Sequence, residues 1–355
     1  MAVEDIIKSH VDSGNSHAIS VGLINGNETK FFNYGEIKKE SKIAPTSKTI
    51  YEIGSMTKTF TTILAIQLEK DGIISLSEPI VKFLPELKNS DFEKKQINLF
   101  HLLTHTSGIS EFSVGVFTSQ MFSLMSSGKS QIKEYQYDLD NFLKYVSKLK
   151  LKDNPGSTFR YSNFGFGLVG KILEKVTGKS YEKLVKTHIC DAIGMNNTGI
   201  TPSESQKSEL VTGYSLKNTK VEFWNVPAIE SAASLFSTTD DMVKFLKANL
   251  GLMETSLSLA LTHCRQTEIV PKIPLTMKFF TKSVGITLSK FRLGWFVFPQ
   301  NDGLDILGLD GGTEGFSSFM AINPLKQSGI TILTNRGMKP VHKLGLSLLL
   351  EMNKK

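Results

Sequence analysis

Apolar positions along this chain follow two different periods. Near the N-terminus, Ala18-Ile19-Ser20-Val21-Gly22-Leu23-Ile24 and Lys30-Phe31-Phe32-Asn33-Tyr34 read as strands, joined through the hairpin signal Asn25-Gly26-Asn27. Near the C-terminus, Leu293 to Phe298, Gly315 to Ile322 and Gly329 to Thr334 form three more strand-like runs. Between these ends the spacing is mainly helical. Phe60, Ile63, Leu64 and Leu68 share one helix face and Asp71-Gly72 supplies a stop, after a short extended lead at Ile50 to Ile53. Further helices are predicted over Val3 to Asp12, from Ser77 to Leu84 ahead of Pro85, over Leu99 to His105, and over Gly165 to Gly178. A capped helix begins near Ser237-Thr238-Thr239 and runs through Phe245, Leu246 and Leu250 to Gly251, and Val341 to Met352 makes a last one.

Strands at both ends with helices between predict an α/β fold of the α+β type. An antiparallel sheet is built from both termini and flanked by helices, with a mainly helical lobe inserted. The expected organisation is a single domain, with a sheet lobe from residues 1–75 plus 231–355 and a helical lobe from 76–230. At 355 residues, 40% hydrophobic and 21% charged, the chain can bury a large core. Its net charge of +7 comes from lysines scattered among acids, as at Lys38-Lys39-Glu40, so no basic face or nucleic-acid module is expected. No apolar run approaches the roughly 18 residues of a membrane span. Met1-Ala2-Val3-Glu4-Asp5 carries no secretory signal, which points to the cytoplasm, or to the periplasm or outside if the chain is the trimmed form of a longer one. Cys190 and Cys264 have no metal-ligand spacing and are either free thiols, the favoured reading, or one disulfide.

Three stretches carry candidate chemistry. In Ile53-Gly54-Ser55-Met56-Thr57-Lys58, Ser55 stands at a helix entrance and Lys58 one turn later on the same face. A serine hydroxyl becomes a nucleophile only if a neighbouring base takes its proton, and a lysine serves once burial or nearby cations favour its neutral amine. Ser-x-x-Lys also occurs at Ser126/Lys129, Ser130/Lys133, Ser147/Lys150 and Ser180/Lys183, so context singles out Ser55: Gly54 before it and a long apolar helix after it. The second stretch, Asn154-Pro155-Gly156 to Tyr161-Ser162-Asn163, puts Tyr161 and Asn163 on a loop facing the same way. There Tyr161 can exchange a proton with Ser55 or a leaving group, and Asn163 can bind an acyl amide or fix Lys58. The third is Gly308-Leu309-Asp310-Gly311-Gly312-Thr313-Glu314-Gly315-Phe316. It is either a hairpin turn or an edge strand close enough to Ser55 to offer an oxyanion N–H beside that of Ser55 itself.

In this order and spacing the three stretches resemble the serine β-lactamase and penicillin-binding-protein superfamily, in particular its class C β-lactamase-like branch of D-Ala-D-Ala carboxypeptidases, D-aminopeptidases and esterases. Leu102 to Ile109, Val176-Thr177-Gly178, Ile193-Gly194-Met195, Asp240-Asp241-Met242 and Leu293-Gly294-Trp295 also look like landmarks of that family. The resemblance implies a β-lactamase/transpeptidase-like fold and a serine hydrolase working through an acyl-enzyme, as an esterase, carboxypeptidase or β-lactamase. It implies Ser55 as nucleophile, Lys58 as its base, Tyr161 as second acid/base and Asn163 as substrate ligand. The Ser55 and Gly312 amides would form the oxyanion hole, with Gly311 and Thr313 beside the substrate, a small-molecule or peptide amide or ester. No metal or organic cofactor is implied.

One departure stands out. The family's third motif begins with Lys or His, then Thr, Ser or Asp, then Gly, where this chain has Leu309, Asp310 and Gly311. Losing a charge-assisted contact of about 1.5–3 kcal/mol weakens recognition of a substrate carboxylate, and an Asp310 facing the site adds repulsion. Arg336 is the candidate replacement cation. The alternative is a catalytically silent member that binds a ligand or protein partner, a reading that Leu309 favours and the intact Ser55, Lys58, Tyr161 and Asn163 oppose. His101 and His105 have metal-ligand spacing, but Leu102 and Leu103 fill the place of a zinc hydrolase's glutamate, so packing is the expectation. The aromatic stretches Phe112 to Phe122 and Met277 to Phe280 either cover core or line a lipophilic acyl pocket.

Overall fold

The computed structural model describes residues 3–109, 133–275, 278, 289–300 and 305–354. Phe112 to Phe122, Met277, Phe279 and Phe280 lie outside the described residues.

Helix α1 (Val3–Asp12) leads into β1 (Ala18–Asn25) and β2 (Glu28–Gly35), the predicted hairpin. Two-residue β3 (Tyr51–Glu52) precedes α2 (Thr57–Lys70). Helices α3 (Leu99–Leu103) and α4 (Asn163–Thr177) belong to the helical region, which also holds the small hairpin β4 (Gly213–Tyr214) and β5 (Lys220–Val221). Strand β6 (Phe236–Ser237) pairs with β3 and enters α5 (Thr239–Leu250). The C-terminal part is β7 (Glu268–Ile269), β8 (Phe291–Arg292), β9 (Trp295–Phe298), β10 (Ile306–Gly312), β11 (Ser317–Asn323), β12 (Ser328–Thr334) and α6 (His342–Asn353).

Among the described residues, eight strands make one antiparallel sheet in the order β2-β1-β12-β11-β10-β9-β8-β7. The two ends of the chain meet within it, where Val21 lies opposite Ile332 and Leu23 opposite Ile330. Because neighbouring side chains on a strand point to opposite faces, the sheet feeds two cores. Ile19, Val21, Leu23, Phe319, Ile330 and Ile332 pack under α1 and α6. Leu307, Leu309, Met320, Ile322 and Leu333 face the other way, toward α2, α5 and the helical region. Phe60 of α2 stacks on Phe245 of α5 with ring centroids 4.1 Å apart.

Caps account for the helix ends. Ser162 accepts from the Gly165 N–H at the start of α4, and Gly178, with φ 68°, closes it. Thr238 accepts from the Asp241 N–H, and Gly251, with φ 75°, ends α5.

One expectation changes and another narrows. Helix α2 is buried nearly all round rather than on one face, because its threonines satisfy their hydroxyls internally: Thr62 donates to the Lys58 carbonyl at 2.8 Å and Thr59 to the Gly294 carbonyl at 2.7 Å. The glycine-dense run is not a hairpin turn but the end of β10, where the strand has a free edge beside Ser55. Strand β9 pairs only as far as Gly308, so Leu309 to Gly312 keep β11 on one side and meet the segment around Ser55 on the other.

Candidate active site

Ser55 sits in a one-turn 3-10 segment, Gly54–Met56, that runs directly into α2. Gly54 has φ +50°, and a Cβ there would lie 2.6 Å from the Gly312 nitrogen, so only glycine lets the turn rest against the end of β10. Gly311 is equally constrained, since a Cβ would stand 2.0 Å from the Ile53 carbonyl oxygen. That oxygen accepts a 2.9 Å hydrogen bond from the Ser318 hydroxyl of β11. The Ser55 turn is thus attached to two strands from the far end of the chain.

Lys58 occupies the first turn of α2 and is only 2% exposed. Its Nζ lies 3.1 Å from Ser55 Oγ, 2.6 Å from Asn163 Oδ1 and 3.0 Å from the Ala232 carbonyl oxygen. Half-buried Tyr161 brings its hydroxyl 2.6 Å from the same Ser55 Oγ, and Lys58 Nζ is 4.8 Å from the centre of the Tyr161 ring. Ser55 Oγ therefore stands between an amine and a phenol, each within reach of its proton. The Asn163 side chain spans two partners: its oxygen accepts from Lys58 while its Nδ2 donates to the Tyr135 hydroxyl at 2.7 Å.

His105 supports this arrangement from behind. Its ring centroid is 4.5 Å from that of Tyr161, and its Nδ1 accepts from the Ser162 N–H at 3.1 Å. Burial, with Lys58 adding to it, holds His105 far below the usual imidazole range, so the ring is neutral. His101 closes a capping box with Asn98 at the start of α3. A cavity of about 20 Å³ behind Lys58 is lined by Leu103, His105, Phe159, Phe166 and Leu309.

Other sequence candidates are placed as follows. Leu309, 4% exposed, lies on the Lys58 side of β10. Asp310 points the opposite way, under α6, where its Oδ2 is 3.1 Å from His342 Nδ1. The repulsion expected from an Asp310 facing the site therefore does not arise, because alternation along β10 turns that side chain away. Gly312 is exposed, with open space where a side chain would go. Thr313 is buried and donates its hydroxyl to Glu52 Oε2 at 2.6 Å. Arg336 reaches the Leu216 carbonyl at 2.9 Å and Asn218 Oδ1 at 3.2 Å, between β4 and β5. Cys190 and Cys264 are buried free thiols, each pushed up to about 12 by burial.

Sequence reasoning missed Glu52, Tyr135 and the Ala232 carbonyl. A main-chain oxygen leaves no mark in a sequence. Glu52 was findable as a carboxylate in an otherwise apolar lead into Ser55. Among the described residues, no helix is long and apolar enough to cross a membrane.

Comparison with known proteins gives the family. A family model described as Beta-lactamase matches residues 3–348. The chain is 27% identical over 336 residues to a beta-lactamase of Pseudomonas fluorescens, covering 90% of this chain and 88% of that one. It is 26% identical to the D-alanyl-D-alanine-carboxypeptidase/endopeptidase AmpH of Escherichia coli, covering 94% and 84%. Among solved structures, an octameric penicillin-binding protein homologue from Pyrococcus abyssi superposes with a TM-score of 0.83 at 25% identity, covering 99% of this chain and 77% of that one. A beta-lactamase/D-alanine carboxypeptidase from Pseudomonas syringae gives a TM-score of 0.81 at 22% identity, covering 98% and 97%. Since the family model spans nearly the whole chain, the protein belongs to the Beta-lactamase family and is a serine hydrolase acting on amide or ester bonds.

Proposed function

We propose that Ser55 is the nucleophile of an acyl-enzyme mechanism whose preferred substrate is an amide or ester lacking a free carboxylate beside the scissile bond. The observation that carries the reading is the position of Ser55 Oγ, 3.1 Å from Lys58 Nζ and 2.6 Å from the Tyr161 hydroxyl. Lys58 and Tyr161 form the route by which the Ser55 proton leaves as Oγ bonds to the substrate carbonyl carbon. The carbonyl oxygen, now an oxyanion, is received by the N–H groups of Ser55 and Gly312. Tyr161 then delivers a proton to the departing amine or alcohol as its bond to carbon breaks, leaving the acyl group on Ser55. Water adds to the acyl carbon, gives up a proton by the same route, and releases the acid and free Ser55. Asn163 holds the Lys58 amine in place rather than waiting for substrate, since both ends of its amide are engaged.

Selectivity rests on Leu309. The names of the relatives span a beta-lactamase and a D-alanyl-D-alanine-carboxypeptidase/endopeptidase, and a carboxypeptidase by definition acts beside a C-terminal carboxylate. An apolar Leu309 on the Lys58 side of β10 offers such a carboxylate neither charge nor hydrogen bond, and Arg336 is bonded to Leu216 and Asn218. Both facts favour neutral acyl donors.

Intact-mass spectrometry of wild type and Ser55→Ala after incubation with a fluorophosphonate, a penicillin and a short-chain activated ester tests this directly. The expected result is a Ser55-dependent fluorophosphonate adduct and ester turnover that outpaces penicillin turnover. Failure of all three to react at Ser55 would remove the acyl-enzyme reading, and penicillin turnover faster than ester turnover would remove the selectivity.

A further inference from the structure

Glu52 takes no part in the proton route above, yet it is a buried carboxylate three residues ahead of the nucleophile. It lies on β3, opposite Phe236. Oε2 accepts the Thr313 hydroxyl at 2.6 Å, and Oε1 accepts the Trp224 N–H. Thr313 is the residue immediately after Gly312, and its own N–H is fixed at 3.0 Å on the Phe316 carbonyl. One side chain therefore connects the segment bearing the Ser55 amide to the segment bearing the Gly312 amide. Burial pushes Glu52 up to about 7, against the lowering effect of the Thr313 and Trp224 bonds, with nearby Glu314 pushing the same way as burial. An isolated carboxylate kept in that setting is costly unless it is hydrogen-bonded, and one of the two bonds it makes holds the residue next to Gly312.

We propose that Glu52 and Thr313 form a clamp that sets the separation of the Ser55 and Gly312 amides, making Glu52 a positioning residue for the oxyanion hole. The inference rests on Ser55 being the nucleophile and on those two amides receiving the oxyanion. Two other contacts bring the same segments together: Ser318 holds the Ile53 carbonyl, and Gly54 lies against Gly312. Those set how close the turn and strand come. The Glu52–Thr313 bond acts one residue beyond Gly312 and three before Ser55, so it governs how the two amides are aimed.

The test measures p-nitrophenyl acetate hydrolysis and the rate of fluorophosphonate labelling for wild type, Glu52→Gln, Thr313→Val and the double variant, with Thr313→Ser as the conservative control. Labelling of wild type at Ser55 checks the underlying reading separately, and its absence would bring down both. If the clamp holds the oxyanion hole, each single variant loses roughly 10-fold or more in kcat and labelling rate, with KM moving much less. The double variant then falls no further than the weaker single variant, because Glu52→Gln removes the charged acceptor and Thr313→Val the donor of one and the same bond. Thr313→Ser retains the hydroxyl and recovers most of the loss. Labelled wild type with single variants within about 2-fold of it, or losses that multiply in the double variant, overturns the clamp. Should Glu52→Gln fail to fold, Thr313→Val against Thr313→Ser decides alone: equal rates for the two overturn the clamp.

Discussion

Asp310 Oδ2 lies 3.1 Å from His342 Nδ1, on the face of the sheet turned away from Ser55. Adjacent residues of β10 thus serve opposite cores, Leu309 toward Lys58 and Asp310 toward α6. The one departure in the third motif, Leu309, is thus placed to influence the substrate, and Asp310 is not.

That division gives a selectivity prediction. Leu309→His adds a hydrogen-bonding ring, cationic when protonated, on the catalytic side. It should raise kcat/KM for carboxylate-bearing substrates over neutral esters by about 10-fold, the worth of one contact of roughly 1.4 kcal/mol. Asp310→Asn, on the far side, should shift that ratio by less than about 2-fold. Paired assays on a penicillin and an activated ester decide it, and a larger effect from position 310 would invert the assignment.

The bracing of Lys58 predicts a graded response. Asn163→Ala removes the 2.6 Å acceptor from the amine and should lower kcat by roughly 10- to 100-fold. Tyr135→Phe removes only the acceptor for Asn163 Nδ2, leaving the amide freer to turn, and should cost roughly 3- to 10-fold. Steady-state kinetics on one ester substrate will show the order, and a Tyr135→Phe loss exceeding that of Asn163→Ala would contradict it.

Neighbouring glycines should behave differently in thermal unfolding. A methyl at position 311 meets the Ile53 oxygen at 2.0 Å and Ser318 Oγ at 2.2 Å, so Gly311→Ala must displace strand or turn and should cost about 2–3 kcal/mol. A methyl at 312 meets nothing within 4 Å, so Gly312→Ala should stay within about 1 kcal/mol of wild type. Equal destabilisation would mean the two backbones are not in the contact described.

Glu52 carries a pH dependence with a definite sign. Its carboxyl is raised from 4.5 to about 7 on folding, chiefly by burial. Below about 4.5 folded and unfolded chains are both protonated and nothing is lost. As pH rises toward 7 the unfolded chain ionises first, and its stability contribution falls by about 3 kcal/mol before levelling off above the folded value. Glu52→Gln should cancel this, becoming more stable relative to wild type at pH 8 than at pH 5. Urea melts at both pH values measure it, and a constant difference would show that Glu52 titrates normally.

Much of the scaffold was legible in local chemistry. Caps such as Thr238, stops such as Gly178 and Gly251, and the alternation in β1 act within a few residues, so sequence pattern locates them. Ser55 and Lys58 were readable because a helix places residues three apart on one face. The site itself is made of contacts between distant segments, which no local pattern encodes. Ser180 shows the contrast: in another Ser-x-x-Lys, its hydroxyl merely caps a helix by accepting from the Lys183 N–H. The glycine run stayed open between a turn and an edge strand because glycine has poor strand propensity, whereas here it is required by the approach of the Ile53 and Gly54 backbone.

The pairing of β1 with β12 has a consequence for biosynthesis. Glu52 and Thr313 are 261 residues apart, and the central sheet cannot close until β12 has been made. A ribosome-bound chain therefore carries Ser55 long before it carries the wall opposite it. During that interval β1 lacks its partner along one whole side, a state open to association with other chains. Hydrolytic competence should appear abruptly, late in synthesis, and removal of the last strand should abolish it rather than weaken it.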